Sequence, residues 1–458
     1  MTPAHHTGLP AELVCSNSLK GEGLTNAAGL LKEEMRHVGS VIMSAAERCR
    51  LPAGAALAVD RDSFSLAVAG LLESTGLIEV IQEEVTAIPP GDGPGSVIIA
   101  TGPLTSDSLA EDLAAFIGED SLAFYDAAAP IVDVSTVDPA HAFRASRYGK
   151  GGGDYINCPL TKEEYELFYR ELIAAAQHPA KPFEHGLFFE GCLPVEELAR
   201  RGPDTLRYGP MKPVGLTDPT TGRRPYAVIQ LRQDDAAGTL YNLVGFQTNL
   251  RWGEQKRVFS LIPALRNASF VRYGVMHRNT YVSSPRVLQP TLATRRRPDL
   301  FLAGQITGVE GYVESAAMGL LAGINAARLV LGAEAVVAPP ETMHGALVRY
   351  ITTADPGLFQ PMNANFGLLP PVPSSVVSKL AAAKAQAALE GEATPPAAGE
   401  TADPHRHGRR SRRRRSATRR LRKPLIQEAK SLRALSTWDD FIENYELLSG
   451  RLQFNMVK

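Results

Sequence analysis

Residues 299–332 read DLFLAGQITGVEGYVESAAMGLLAGINAARLVLG. A short apolar run gives way to Gly304, Gly308 and Gly311, and a long Ala- and Gly-rich stretch follows. The pattern predicts a buried strand, a glycine turn and a long helix. Glycines let a backbone approach a ligand closely, and the free N–H groups of a helix start favour an anion. Gln305, just past the strand, is placed to hydrogen-bond a sugar hydroxyl. Tight packing of strand on helix accounts for the same glycines equally well. The stretch VIIATGPL at 97–104 repeats the theme, a strand ending in Thr101 and Gly102 where backbone can pass close to a nucleotide.

Strand followed by helix at both places gives an α/β body. NAAGLLKEEMRHVGSVIMSAAERC at 26–49 adds a helix, with Leu31, Met35, Val38, Ile42 and Ala45 on one face. Between 106 and 294 the pattern changes. Short aromatic and β-branched runs such as YAVIQL and YNLVGFQT alternate with Gly, Pro and Asp turns. They predict an α+β insertion built on an antiparallel sheet. The expected division is 1–105 and 295–372 for the α/β domain, 106–294 for the insertion, and 373–458 for a linker and tail.

The 458 residues are 44% hydrophobic and 21% charged, an ordinary globular composition. No apolar run reaches the ~18 residues of a membrane helix, and the N-terminal stretch MTPAHHTGLP has no secretory pattern. Cys15, Cys49, Cys158 and Cys192 lie far apart with no C-x-x-C, so no metal site is expected and reduced thiols in the cytoplasm are. Net charge is −1, yet residues 401–458 hold 15 Lys and Arg against 6 Asp and Glu. A basic appendage on an acidic body suggests a polyanionic partner. The run HRHGRRSRRRRSATRRLRK is too dense in charge to bury itself and is expected to be disordered. STWDDFIENYELLSGRL, farther on, has the pattern of a short amphipathic helix.

Cys15 sits in LVCSNSLKGEGLTNAAG, just before a predicted helix start, where a thiol's pKa falls. Cys192 sits in FFEGCLP, with Glu190 nearby and Pro194 stiffening the turn. Each reads either as a small buried hydrophobe or as a nucleophile. His277, Arg278 and Asn279 in VMHRNTYVSSP suit an anion or stacking site, or simply a solvated turn.

Taken together the motifs resemble those of the bacterial folate- and FAD-dependent tRNA (uracil-5-)-methyltransferases. TPAHHT, ELVCSNSL, LTNAAGLLKEEMR, IIATGPLTS, FFEGCLP, GPMKPVGL, RYGVMHRNTY, FLAGQITGVEGYVESAAMGLLAGINAA and YITTADPGLFQPMNANFGLLPP run in order from residue 2 to about 371. The resemblance implies a glutathione-reductase-like FAD-binding domain with an insertion. It implies methylation of uridine C5 in the tRNA T-loop, with methylenetetrahydrofolate as carbon donor and FAD, reduced by NADPH or NADH, as reductant. It places Cys192 as the thiolate that attacks uracil C6 and Cys15 beside the flavin. Thr101, Gly102, Gly304, Gln305, Gly308, Gly311 and Tyr312 become cofactor contacts, and His277, Arg278 and Asn279 folate or tRNA contacts. The related wobble-uridine flavoproteins fit FFEGCLP and ELVCSNSL less well.

Two departures stand out. The family's G-x-G-x-x-G phosphate loop occurs nowhere in the chain. The cofactor domain is therefore expected to be N-terminally truncated, by a late start codon or a true loss. The chain as given is then expected to hold FAD poorly and to have little or no activity, with a catalytically inactive tRNA-binding protein as the alternative to the methyltransferase. Two open sheet edges are expected as well. Beyond residue 400 nothing resembles the family, and the basic run 406–423 is expected to add RNA contacts that are blind to sequence.

Overall fold

The computed structural model describes residues 5, 7–91, 93, 95–118, 122–149, 152–178, 193–274, 276–391, 410–445 and 447; the side chains of 122–127, 276–278, 385, 387–391 and 410–422 are outside the description. Two separate hydrophobic cores organise these residues.

The first core forms around the helix Tyr312–Val330, which buries Val313, Ala317, Met318 and Leu321. This helix is long and apolar enough to cross a membrane, but its apolar face packs inside the protein. It follows the strand Leu300–Leu302, which pairs in parallel with Val97–Ile99. The strand–turn–helix reading of 299–332 is thus what forms. Leu300–Leu302 meets Ala293 on its other side through an antiparallel bridge at Phe301.

The helix expected over 26–49 is two helices, Ala27–His37 and Val41–Arg48. Gly39 takes a left-handed φ of 68°, and Ser40 caps the second helix by accepting from Met43 N. The periodic apolar face continues across the break, so periodicity alone did not show it. Leu30, Leu31 and Met35 still enter the core. Lys32 is buried beside them and donates to the carbonyls of Leu19, Lys20 and Gly21 at 2.8, 3.2 and 3.1 Å.

Burial pushes the Lys32 amine down to about 8 from its ordinary 10.5. Between those values the unfolded chain binds more proton than the folded one, so stability rises with pH across that window. Measured against Lys32→Met, the gain should be about 1–2 kcal/mol, read as the change in the difference of urea midpoints from below pH 8 to above pH 10. A difference that stays flat with pH would refute it.

The second core lies under a six-stranded antiparallel sheet in the order Phe270–Arg272, Ile131–Asp133, Leu240–Leu243, Ala227–Gln233, Tyr155–Leu160, Phe143–Arg144. The helix Lys162–Ala174 covers it, started by a capping box between Thr161 and Glu164. Phe168, Leu172, Phe246 and Phe259 fill the space between. The antiparallel pair Leu122–Ala127 and Met276–Tyr281 lies at the entry to and exit from this sheet. The boundaries expected at 105/106 and 294/295 fall between helices and strands. Leu113, in the helix Asp107–Ile117, and residues 281–293 contribute to the first core.

The expectation of disorder in the basic run is corrected from Arg410 onward, whereas the helix expected within STWDDFIENYELLSGRL does form, as the end of a longer one. Residues 374–391 form a helix, and a second helix runs from Arg410 to Asn444 through Pro424. Ala434, Trp438, Phe441 and Ile442 are buried in the first core. Trp438 Nε1 donates to Glu34 O at 2.7 Å, Ser431 Oγ to Leu24 O at 2.6 Å, and Lys430 Nζ to Phe366 O at 2.6 Å. Composition concealed this, because the dense charges upstream of Pro424 dominate the average while the apolar face lies downstream. Most of the basic run expected to touch RNA is the start of this helix; residues 392–409 lie outside the described residues.

Candidate active site

A cavity of about 180 Å³ opens where the two cores meet, lined by Cys15, Ser16, Lys20, Gln305 and Tyr312, with Pro103 and Gln247 at its sides. Cys15 reaches it on a loop tied to both bodies. Arg61 starts the helix Arg61–Glu73, which Asp60 caps by accepting from Ser63 N at 2.8 Å. Its guanidinium donates to the carbonyls of Leu13 and Cys15 and pairs with Asp234, Nε to Oδ2 at 2.9 Å. Arg232 donates from Nε to Asn17 Oδ1 at 3.1 Å and from its terminal nitrogen to Ser16 Oγ at 2.9 Å. Asn17 in turn donates to Val59 O and Gln233 O at 3.1 and 3.0 Å. The loop is therefore held from the first body by Arg61 and from the second by Arg232.

Tyr312 meets this loop from the start of the long helix. Its hydroxyl accepts from Cys15 N at 2.9 Å and donates to the Cys15 sulfur. Burial, and then the nearby thiol, hold the phenol well above its ordinary range, so it stays protonated and remains a donor. Burial in the same seam lowers Arg232, whereas Arg61 stays raised because Asp234 offsets its burial. An O–H donor and two guanidiniums thus lie within electrostatic range of the Cys15 thiol.

The expected cofactor residues are only partly brought together. Gln305, Gly311 and Tyr312 face the cavity, and Pro103 brings Gly102 to its edge. Gln305 Nε2, expected to meet a sugar, donates instead to Glu310 Oε2 at 2.7 Å. Gly311 has φ 110°, and a Cβ there would lie 2.4 Å from Lys20 Nζ and 2.6 Å from Glu314 Oε2. Gly308 has φ 82°, and its Cβ would strike the Phe359 ring at 2.5 Å. At both positions a side chain would collide with the protein's own atoms, so glycine is required there whether or not a cofactor lies alongside. Gly304 has φ 74° and lies against Ser315. Thr101 is exposed and bonded to Thr105 at 2.7 Å, whereas Gly102, at φ 69°, faces open space.

Several buried polar atoms here have no partner among the described residues. They are Glu314 Oε2 and Asn363 Oδ1 near the helix start and both ends of the Asn279 amide. Asn279 is 1% exposed, on a strand packed against both the Gly102 and the Gly304 turns. Orphaned buried groups like these call for a ligand. The hydroxyls and ring N–H of a flavin are such donors, and the residues present fit that end of FAD. The side chains of His277 and Arg278, and Glu190 and Cys192 entirely, lie outside the described residues. Cys49 and Cys158 are not at the cavity; burial raises both thiols, Cys158 to about 12.

Sequence reading missed Arg61, Arg232 and Asp234. Their signal was present in AVDRDS and QLRQDD, but no local spacing links residue 61 to residue 234.

The family Glucose inhibited division protein A matches residues 1–334. The methylenetetrahydrofolate–tRNA-(uracil-5-)-methyltransferase TrmFO of Moorella thermoacetica is 62% identical over 380 residues, covering 83% of this chain and 86% of that protein. Its counterpart in Desulforudis audaxviator is 61% identical over 392 residues, with 85% and 89% covered. Among solved structures, Aquifex aeolicus GidA in its form II crystal aligns with TM-score 0.57 at 15% identity, over 95% of this chain and 82% of that one. The form I crystal gives the same TM-score over 75% of this chain and 63% of that one. At such identity these two structures speak to the fold, a mixed α/β architecture. The chain belongs to the Glucose inhibited division protein A family and, within it, to the methylenetetrahydrofolate–tRNA-(uracil-5-)-methyltransferases.

Proposed function

We propose that this chain methylates C5 of a uridine in the tRNA T-loop, in the cytoplasm, with methylenetetrahydrofolate as one-carbon donor. The observation that carries the reading is the Cys15–Tyr312 pair at a cavity whose walls also hold the turn expected to contact FAD. Uracil C5 is a weak nucleophile. A thiolate added at C6 makes C5 enolate-like and able to attack a one-carbon electrophile. Cys192 is assigned that addition. A base then takes the C5 proton and the Cys192 sulfur leaves C6, which restores the ring. Cys15 is assigned to hold the one-carbon unit beside the cofactor. When bound, FAD would supply the hydride equivalent for the methyl group, with NADPH or NADH as its reductant. Gly102, Gly304, Gln305, Gly311 and Tyr312 would line its flavin end. Asn279, with an unpaired amide between the two turns, is assigned to orient folate or base.

The test is direct. The purified protein is incubated with unmodified tRNA, methylenetetrahydrofolate, FAD and NADPH, and the digested RNA is read by mass spectrometry. 5-Methyluridine in the T-loop is expected. A product at the wobble uridine, or tRNA binding with no product in the presence of excess FAD, would overturn the reading.

The basic run 406–423 is proposed as an RNA-contacting arm, held by the docked half of its helix. Cutting the chain at 400 would remove Trp438 and Phe441 from the core as well. Deleting 393–423 instead, so that the docked half stays, should lower tRNA affinity about tenfold or more at moderate salt and flatten its salt dependence. Unchanged affinity and slope would exclude the arm.

A further inference from the structure

One polar side chain in the wall of the Cys15 cavity has no bond to the rest of the described protein. Lys20 is committed to Glu314 at 2.7 Å, Ser16 to Arg232 at 2.9 Å and Gln305 to Glu310 at 2.7 Å. Ser18 Oγ accepts from Lys20 N at 3.2 Å, and the Tyr312 hydroxyl is held on Cys15. Gln247 lines the same cavity, and its side-chain amide makes no hydrogen bond among the described residues. The inserted body supplies this residue and grips it from both sides. Phe246 and Thr248 are wholly buried. The Phe246 ring packs between Phe168 and Phe259, with centroids 6.2 and 5.7 Å away. Thr248 Oγ1 donates to the buried Glu196 carboxylate at 2.9 Å, and Asn249 N donates to its other oxygen at 2.7 Å. Gln247 O accepts from Val195 N at 2.7 Å. With both neighbours buried in the inserted body, half-buried Gln247 is left at the cavity wall. Val195 is the third residue after Cys192 in sequence, so Gln247 marks the side from which the chain carrying that cysteine arrives.

A primary amide carries two N–H donors and one acceptor oxygen. When a thiolate adds to uracil, the S–C6 bond forms, the C5=C6 electron pair moves towards C4, and O4 takes up negative charge. A donor already fixed where that charge develops lowers the barrier. We propose that Gln247 is the donor to O4 of the uracil ring in this step, a catalytic residue in addition to the two cysteines. Its amide has no bond within the described protein to break before it meets the base, and its backbone is anchored on both sides, so little reorganisation is needed when the charge appears. The assignment deepens the methyltransferase reading and rests on it.

Covalent trapping of tRNA that contains 5-fluorouridine isolates the addition step, since fluorine at C5 cannot leave as a proton does. Gln247→Leu removes both donors. Gln247→Glu keeps the size of the side chain but leaves only acceptors at neutral pH. At saturating RNA each variant should form the trapped complex about 10²-fold more slowly than the parent. Alkylation of Cys15 and of the fully buried Cys158, read by peptide mass spectrometry on the same samples, should match the parent and so report an intact cavity wall and an intact second core. A structural role for Gln247 would move those two thiols; donation to O4 moves only the trapping rate. The proposal is overturned if either variant traps RNA at the parent's rate, or if the slowing comes with faster alkylation of Cys158. The two readings fail differently: a parent protein that traps no RNA sinks the methyltransferase reading and this assignment with it, whereas a parent that traps RNA and variants that match it sink the Gln247 assignment alone.

Discussion

Glu34→Ala should destabilise the first body by about 3–5 kcal/mol, because it strands three buried donors at once. The Glu34 carboxylate is wholly buried and receives Met343 N at 2.7 Å, His344 N at 3.0 Å and His344 Nδ1 at 2.7 Å. It thus caps the helix Met343–Thr353 from a neighbouring helix, meeting N–H groups that a helix start leaves unbonded. The His344 ring stacks on Trp438 with centroids 4.5 Å apart, so the loss would spread to the docked terminal helix. Trp438→Ala should be of similar size, from the cavity it leaves. Chemical denaturation followed by tryptophan emission measures Glu34→Ala; for Trp438→Ala, circular dichroism replaces it. A shift below about 1 kcal/mol in Glu34→Ala would mean that water reaches the orphaned groups.

Cys192→Ala and Cys15→Ala are each expected to lower methylation by on the order of 10³-fold or more, for different reasons. Without Cys192 there is no thiolate to add at C6, so tRNA containing 5-fluorouridine should no longer be trapped covalently. Without Cys15 the covalent trap should persist while methyl transfer fails. Tyr312→Phe separates positioning from chemistry. It removes the hydroxyl that binds both the Cys15 amide and its sulfur, so alkylation of Cys15 should shift to higher pH, with the folded state kept. Equal trapping by all three variants would refute the division of labour between the cysteines.

The strand–turn–helix at 299–332 was legible because a short apolar run, three glycines and a periodic helix lie in one stretch. The six-stranded antiparallel sheet was legible from its alternating β-branched runs. The Cys15 cavity was legible only in part. The loop and Tyr312 could be read as motifs, but the network that holds them joins residues 61, 232 and 234, brought together by the seam between two bodies. Local pattern carries no such information. A left-handed φ at Gly308 looks the same in sequence whether glycine is required by a ligand or by a neighbouring ring, here that of Phe359. The tail misled because net charge was averaged over a segment whose apolar face begins only after Pro424.

The docked terminal helix also sets an order of events during synthesis. Leu30, Leu31, Lys32 and Glu34 leave the ribosome early, yet the tryptophan that closes over Glu34 is residue 438. Until nearly the whole chain has emerged, the first helix presents its apolar face and a buried carboxylate to the cell without their cover. The inserted body, by contrast, draws its core from one continuous span and can close while translation proceeds. A ribosome from which residue 270 has just emerged would therefore carry one finished domain and one exposed, chaperone-dependent half-domain, and a stop shortly before residue 438 would release a protein that is nearly full length and still open.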